Sequence, residues 1–224
     1  MTDGRLVIGT RRYSSWSLRG WLCVRRAGLS VTVETLRLSG TGNTAEIKAL
    51  SPNGCVPYLE HNGAILWDSL SIAEYCAELA PDLWPTERCT RAQARSFTAE
   101  MHSGFRALRS TLPMTLGREG CPLPTELSDD VRSDIARINA IWTKQRCQYA
   151  QEGPYLFGAT FGNVDAMFAP VVLRFLSYAV SGLSQEAQAY MQVIRHHPLM
   201  QEWVHDAQQE PKEWQLPQYE NIPC

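Results

Sequence analysis

Two serine-bearing turns and one proline carry the chemistry that can be seen in this sequence. The first turn is Tyr13-Ser14-Ser15-Trp16-Ser17, which lies between the apolar run Leu6-Val7-Ile8-Gly9 and the helically spaced Leu18, Trp21, Leu22 and Arg25. Hydroxyls at a strand-to-helix junction satisfy the first free N–H groups of the helix. The second turn is Asp68-Ser69, which opens the periodic run Ile72, Ala73, Cys76 and Leu79. The free N–H groups of such a helix start can hold an anion. Between the turns stands Val56-Pro57, and an X-Pro bond is the only kind that turns cis at small cost. A cis bond there would face the Val56 backbone outward. The G-x-S-x-G of a serine hydrolase is absent, and neither the adjacent His196-His197 nor any H-E-x-x-H supplies a zinc signature. No metal is expected.

The elements that must position these residues follow from pattern. Leu6 to Gly9 and Val31-Thr32-Val33-Glu34 read as strands, with Gly28 placed for a left-handed helix cap between them. Residues 40–43 read as a flexible loop and 44–50 as a short helix. Asn62-Gly63, between Pro57-Tyr58-Leu59-Glu60-His61 and Ala64-Ile65-Leu66-Trp67, is a strong two-residue hairpin signal. The Pro-rich segment 81–87 ends the strand-bearing half. Beyond it the spacing is helical: one long segment over 88–112 carrying Phe97, Met101, Phe105 and Leu108, then 127–149, the apolar run after Asn163-Val164-Asp165, 186–197 and 199–209. Pro170 should bend its helix. Gly162 and Asp165 hold only half of a reciprocal capping box. A Gly/Pro-rich loop over 117–125 and an irregular tail over 210–224 complete the chain.

Composition narrows the function classes. With 224 residues and 44% hydrophobic content, the chain can bury one large core or two modest ones. A formal charge of −2 with scattered basic residues gives no attraction to nucleic acid. The N-terminal MTDGRLVIGT has no apolar signal core and no run is long enough to cross a bilayer, so a cytoplasmic protein without a membrane partner is the expectation. Seven dispersed cysteines with no C-x-x-C pair read as reduced thiols, mostly buried.

The order of strand, helix, strand, Val-Pro, hairpin and Asp-Ser helix start resembles the N-terminal domain of the cytosolic glutathione transferases. YSSWSLRGWL resembles the serine loop of their bacterial zeta- and theta-like members. The resemblance implies an α/β plus all-α protein: a thioredoxin-like glutathione-binding domain over 1–80, a linker over 81–87, and an all-helical domain over 88–224 forming the electrophile pocket. It implies that Ser14, with Ser15 in reserve, donates to the glutathione sulfur. Free thiols titrate near roughly 8.5, and a hydroxyl donor plus the helix dipole would favour the thiolate by about 1.4 to 2.7 kcal/mol. Val56, before Pro57, would pair its backbone with the cysteinyl unit. Ser69 and the Asp68-Ser69 backbone would take the γ-glutamyl carboxylate, with Asp68 also in reach of the amine.

Cys55 departs from the pattern, since many relatives carry a polar residue there. It reads as a small buried filler or as a thiol able to form a mixed disulfide with glutathione. The pocket would be lined by Tyr13, Met101, His102, Phe105 and Arg106, although an aromatic stripe at this spacing also describes core. Glutathione is the implied co-substrate, a small electrophile the partner, and a homodimer the implied assembly. A glutathione-dependent isomerase of maleylacetoacetate type and a non-enzymatic binding protein retaining the fold are the alternatives.

Overall fold

The computed structural model describes residues 2–40, 44–123 and 125–223; positions 41–43 of the expected flexible loop, Pro124 and Cys224 lie outside the described residues. Strand β1 (Gly4–Gly9) is buried from Leu6 onward, as its uninterrupted apolar run requires of a central strand. It pairs parallel with β2 (Val31–Leu36) and antiparallel with β3 (Tyr58–His61), which turns back into β4 (Ala64–Trp67). The sheet order is β2-β1-β3-β4. Asn62 and Gly63 both take positive φ, 48° and 82°, as a two-residue hairpin of this hand demands. Helix α1 (Ser15–Arg26) makes the crossover between the parallel strands, and Gly28, at φ 69°, follows its end in the left-handed region. A short α2 (Ala45–Leu50), capped by Thr44, leads to the cis Val56–Pro57 bond, and α3 (Ser69–Leu79) follows the hairpin.

Gly20 sets how closely α1 approaches the Val56–Pro57 loop. A Cβ on it would stand 2.8 Å from Pro57 Cγ and 3.6 Å from Ile72 Cδ1. Alanine is the better helix former, yet the proline ring cannot turn aside. Gly20→Ala is therefore expected to destabilise the fold by about 1–3 kcal/mol. Chemical denaturation checks this, and an unchanged or raised midpoint would show that α1 has room to shift.

After a 3₁₀ turn at Pro81–Leu83 the chain is helical: α4 (Arg88–Ser103), α5 (Arg106–Thr111), α6 (Asp129–Tyr149), α7 (Asn163–Ser177), α8 (Gln185–Arg195), α9 (Pro198–Gln208) and α10 (Pro217–Glu220). The single segment expected over 88–112 is in fact two helices. Gly104 N–H bonds back to Glu100 O and ends α4, and Phe105, buried in the left-handed conformation at φ 55°, redirects the chain into α5. Helix α7 is buried along nearly its whole length and continues through Pro170. Its start is held by Asp165, which accepts from Gly162 N at 2.9 Å, Leu156 N at 3.1 Å and Tyr190 Oη at 3.0 Å. Gly162 has no side chain with which to answer.

The tail, expected to be irregular, holds a 3₁₀ turn at Lys212–Trp214 and the short α10. Burial of the thiols also differs from expectation. Cys23 and Cys76 are buried, but Cys55, Cys89 and Cys147 are exposed, and Cys121 is disulfide-bonded. Among the described residues no helix is long and apolar enough to cross a membrane, and no group of His, Cys, Asp and Glu is placed to hold a metal.

Candidate active site

The β1–α1 turn is closed by its own serines. Ser17 Oγ accepts from Gly9 N at 2.9 Å and from the Ser14 hydroxyl at 2.7 Å, while Ser14 Oγ accepts from Ser17 N at 3.3 Å. Ser14 thus serves as the N-cap of α1, with both its proton and a lone pair committed. Ser15, the first residue of the helix, is differently placed. Its Oγ accepts from Arg174 Nη2 at 3.2 Å, leaving the hydroxyl proton without an acceptor among the described residues.

Arg174 comes from the last turn of α7 and is buried. Its Nη1 donates to Leu112 O and, at 3.4 Å, to Arg109 O. Burial, aided by the charge of Arg109, lowers its pKa to about 10, so it stays charged at neutral pH. One turn along α1 from Ser15, Arg19 is fully buried and donates through Nε to Met167 O at 2.9 Å. Burial pulls its pKa well down, and the Arg174 and Arg109 charges pull it further, against the single opposing charge of Asp68. The Trp16 ring packs against two of these cations, with Arg19 Cζ 4.4 Å and Arg109 Cζ 4.7 Å from its centroid.

Asp68, at φ 78°, is the N-cap of α3, and its Oδ1 accepts from Leu70 N at 2.8 Å and Ser71 N at 3.4 Å. Its Oδ2 lies 3.3 Å from His102 Nε2 on α4, a contact joining the sheet-bearing half to the helical half. Burial alone would raise the Asp68 pKa; the bonds from His102, Leu70 and Ser71 outweigh it and hold the carboxyl below its ordinary value. His102 also meets the Trp16 ring edge-on at 5.3 Å. The Ser69 hydroxyl is buried with no partner among the described residues.

The C-terminal segment closes over the β1–α1 turn. Glu220 takes two bonds from Arg12, at 2.7 and 2.9 Å, and one from the Tyr13 hydroxyl at 2.5 Å. Tyr13 Oη in turn accepts from Leu216 N at 3.0 Å, and Glu210 accepts from the backbone N–H groups of Arg11 and Arg12. Burial and the Glu220 bond push the Tyr13 pKa up to about 12. Tyr13 is therefore spent on the tail.

Of the residues singled out in the sequence, Ser14, Ser15, Asp68, Ser69 and His102 gather around α1 and the start of α3, and Val56–Pro57 lies against α1 at Gly20. Met101 is fully buried in the core, Phe105 lies beneath the helix break, and Arg106 is exposed. Cys55 is exposed too. Trp16, Arg19, Arg109, Arg174 and Glu220 went unrecognised. Arg174 had a signal: it is the one charge between Asp165 and Tyr178 in an otherwise apolar helical run.

A thioredoxin-like domain joined to a helical domain, with hydroxyls at the first helix start, defines the glutathione-transferase class of fold. Residues 13–79 match the family model "Glutathione S-transferase, N-terminal domain". Over these residues the chain is similar to the glutathione S-transferases. Glutathione S-transferase L2, chloroplastic, of Arabidopsis thaliana is 28% identical over 174 residues, covering 74% of this chain and 53% of that protein, so the match spans about half of the curated relative's length. Among solved structures, a glutathione transferase homologue from Burkholderia with bound glutathione superposes with TM-score 0.70 at 21% identity, covering 93% of this chain and all of the other. A theta class glutathione S-transferase from Xanthomonas axonopodis pv. citri with glutathione bound gives 0.65 at 24% identity, covering 91% and 98%. These likenesses are of fold.

Proposed function

We propose that the protein is a glutathione transferase in which the Ser15 hydroxyl, held by Arg174, donates to the sulfur of glutathione and keeps it as thiolate for attack on a small electrophile. The observation that carries this reading is the state of the two hydroxyls: that of Ser14 is consumed by the helix cap, whereas that of Ser15 has its oxygen engaged by a cation and its proton free to give. A guanidinium bonded to a hydroxyl oxygen makes its O–H the stronger donor. Ser15 also stands at the positive end of α1, where the aligned peptide dipoles favour an anion. The serine forms no covalent bond; carbon–sulfur bond formation is between the thiolate and the electrophile.

The remaining roles follow the family resemblance. Val56 would pair its backbone with the cysteinyl unit as an added strand does. The buried, unpartnered hydroxyl of Ser69 and the start of α3 suit the γ-glutamyl carboxylate, with Asp68 toward the amine. Pro57 fixes the loop and Cys55 lies at its exposed side. Trp16 and His102 would face the electrophile more directly than the buried Met101 and Phe105.

An ultraviolet difference titration of glutathione across pH, run on wild type, Ser14→Ala and Ser15→Ala, tests the assignment. The expected result is a thiolate signal below the free thiol's pKa that survives in Ser14→Ala and disappears in Ser15→Ala. Loss in Ser14→Ala alone would move the role to Ser14. No thiolate signal in saturated wild type would end the transferase reading and leave a glutathione-binding or interaction protein.

A further inference from the structure

The turn that presents Ser15 is held from the far end of the chain. The N–H and C=O groups of Arg11 and Arg12 are all taken by the second half: Glu210 accepts from Arg11 N at 2.6 Å and Arg12 N at 3.2 Å, Trp203 Nε1 donates to Arg11 O at 3.2 Å, and Leu116 N donates to Arg12 O at 3.1 Å. Side chains add a second set of ties. Glu220 takes two bonds from the Arg12 guanidinium and one from the Tyr13 hydroxyl on a single carboxylate, and the Tyr219 ring centroid lies 5.3 Å from that of Tyr13. Ser14 and Ser15 follow Tyr13 directly.

The tail does this with little packing of its own. Of residues 210–223 only Leu216 is buried, and α10 is a single turn, too short to persist without outside contacts. Beyond Glu220 the tail is clipped by the buried Arg118, which donates through Nη1 to Ile222 O, and through Nη2 to Pro223 O and, at 3.1 Å, to Cys121 O in its own loop. Polar bonds, more than packing, set where these residues lie. A bidentate arginine–carboxylate pair fixes direction as well as distance, so Glu220 passes to the turn an orientation that an apolar contact would not.

We propose that Glu220, with Glu210 in support, is a positioning residue for the reaction: by holding Arg12 and Tyr13 it fixes the turn in the form that points the Ser15 hydroxyl at the sulfur of glutathione. This role rests on the transferase reading of Ser15. Neither carboxylate touches the substrate in it. Loss of Glu220 releases the Arg12 side chain and the phenol together, and the backbone leading to Ser15 opens more often. Misplacing a reacting group by about an ångström is enough to slow a reaction heavily.

Amide hydrogen exchange and the ultraviolet titration of bound glutathione across pH, both on the full chain in reducing buffer, test the proposal. In Glu220→Ala the amides of residues 11–17 are expected to exchange about tenfold faster while those of α7 keep their rates. The thiolate midpoint is expected to rise by about half a pH unit. The Tyr13 phenol, held at about 12 by burial and the Glu220 bond, is expected to titrate closer to the ordinary 10.0. Glu220→Gln keeps an acceptor for Tyr13 without the charge that holds Arg12, so it should recover part of the thiolate shift, and it carries the test should the alanine variant fail to fold. Faster exchange in the turn with a thiolate curve overlaying that of wild type would reduce Glu220 to packing and overturn the proposal. Unchanged exchange in the turn, or exchange quickened equally across α7, would overturn it as well. A wild type that binds glutathione without forming thiolate ends the transferase reading and this role with it. Thiolate formed equally well by wild type and both variants ends only the role, so the two failures are separable.

Discussion

Replacing Arg174 by methionine is expected to raise the pH at which bound glutathione becomes thiolate by about one unit, and to lower turnover about 100-fold. The substitution removes three bonds. Arg174 ties Leu112 O and Arg109 O in the helical half to Ser15 Oγ at the start of α1. Methionine fills much of the same volume but brings no donor, so the serine loses both its orienting partner and a nearby positive charge. Part of the damage is structural: an abandoned carbonyl at Leu112 costs about 1–3 kcal/mol. The thiolate titration separates the two effects, because a purely structural role lowers stability and leaves the titration midpoint in place. Arg174→Lys restores a charge without spanning both partners, and should recover the thiol shift only in part. A methionine variant whose thiolate curve overlays that of wild type would remove Arg174 from the mechanism.

Asp165→Ala is expected to destabilise the protein by about 3–5 kcal/mol, since it strips acceptors from Leu156 N, Gly162 N and the Tyr190 hydroxyl at once, all deep in the structure. The carboxyl also makes stability depend on pH. Burial raises its pKa to about 6 from an ordinary 3.8, against the opposing pull of those same bonds. The folded state therefore holds the proton more tightly than the unfolded chain. The stability this contributes is fully present below the unfolded pKa and is lost as pH rises through about 6, an effect on the order of 3 kcal/mol between pH 4 and pH 7. Asp165→Asn should remove that component, so the difference between wild type and the asparagine variant in urea unfolding should slope across this window. A flat difference would show that the carboxyl titrates normally.

The strand-bearing half was legible because its signals are local. Asn62-Gly63 needs positive φ at two successive positions, and few other dipeptides supply it. Gly28 likewise marks the end of α1 by what its backbone must do. The break at Gly104-Phe105 was not legible, because Phe97, Met101, Phe105 and Leu108 keep helical spacing across it and Phe105 is buried on either reading. Periodicity records which side is apolar and is blind to a change of axis. The site was half legible for a related reason. Hydroxyls at a helix start draw notice, but Arg19 and Arg174 belong to a residue type normally found in water. Only tertiary contact between α1 and α7 shows that Arg19 bonds to Met167 O and Arg174 to Ser15 Oγ. The tail's hold on Tyr13 and Arg12 is equally non-local, joining residues about two hundred positions apart in sequence.

Gly162 shows where local grammar yields to packing. A serine at that position would complete the capping box with Asp165 and, judged on the helix alone, would improve it. Yet a Cβ there would stand 2.9 Å from the carbonyl oxygen of Leu83, in the segment that follows α3. The missing hydroxymethyl is the clearance through which one half of the molecule rests on the other. For anyone redesigning this scaffold, the substitution that a propensity table would rank first at the head of α7 is the one the interdomain seam forbids.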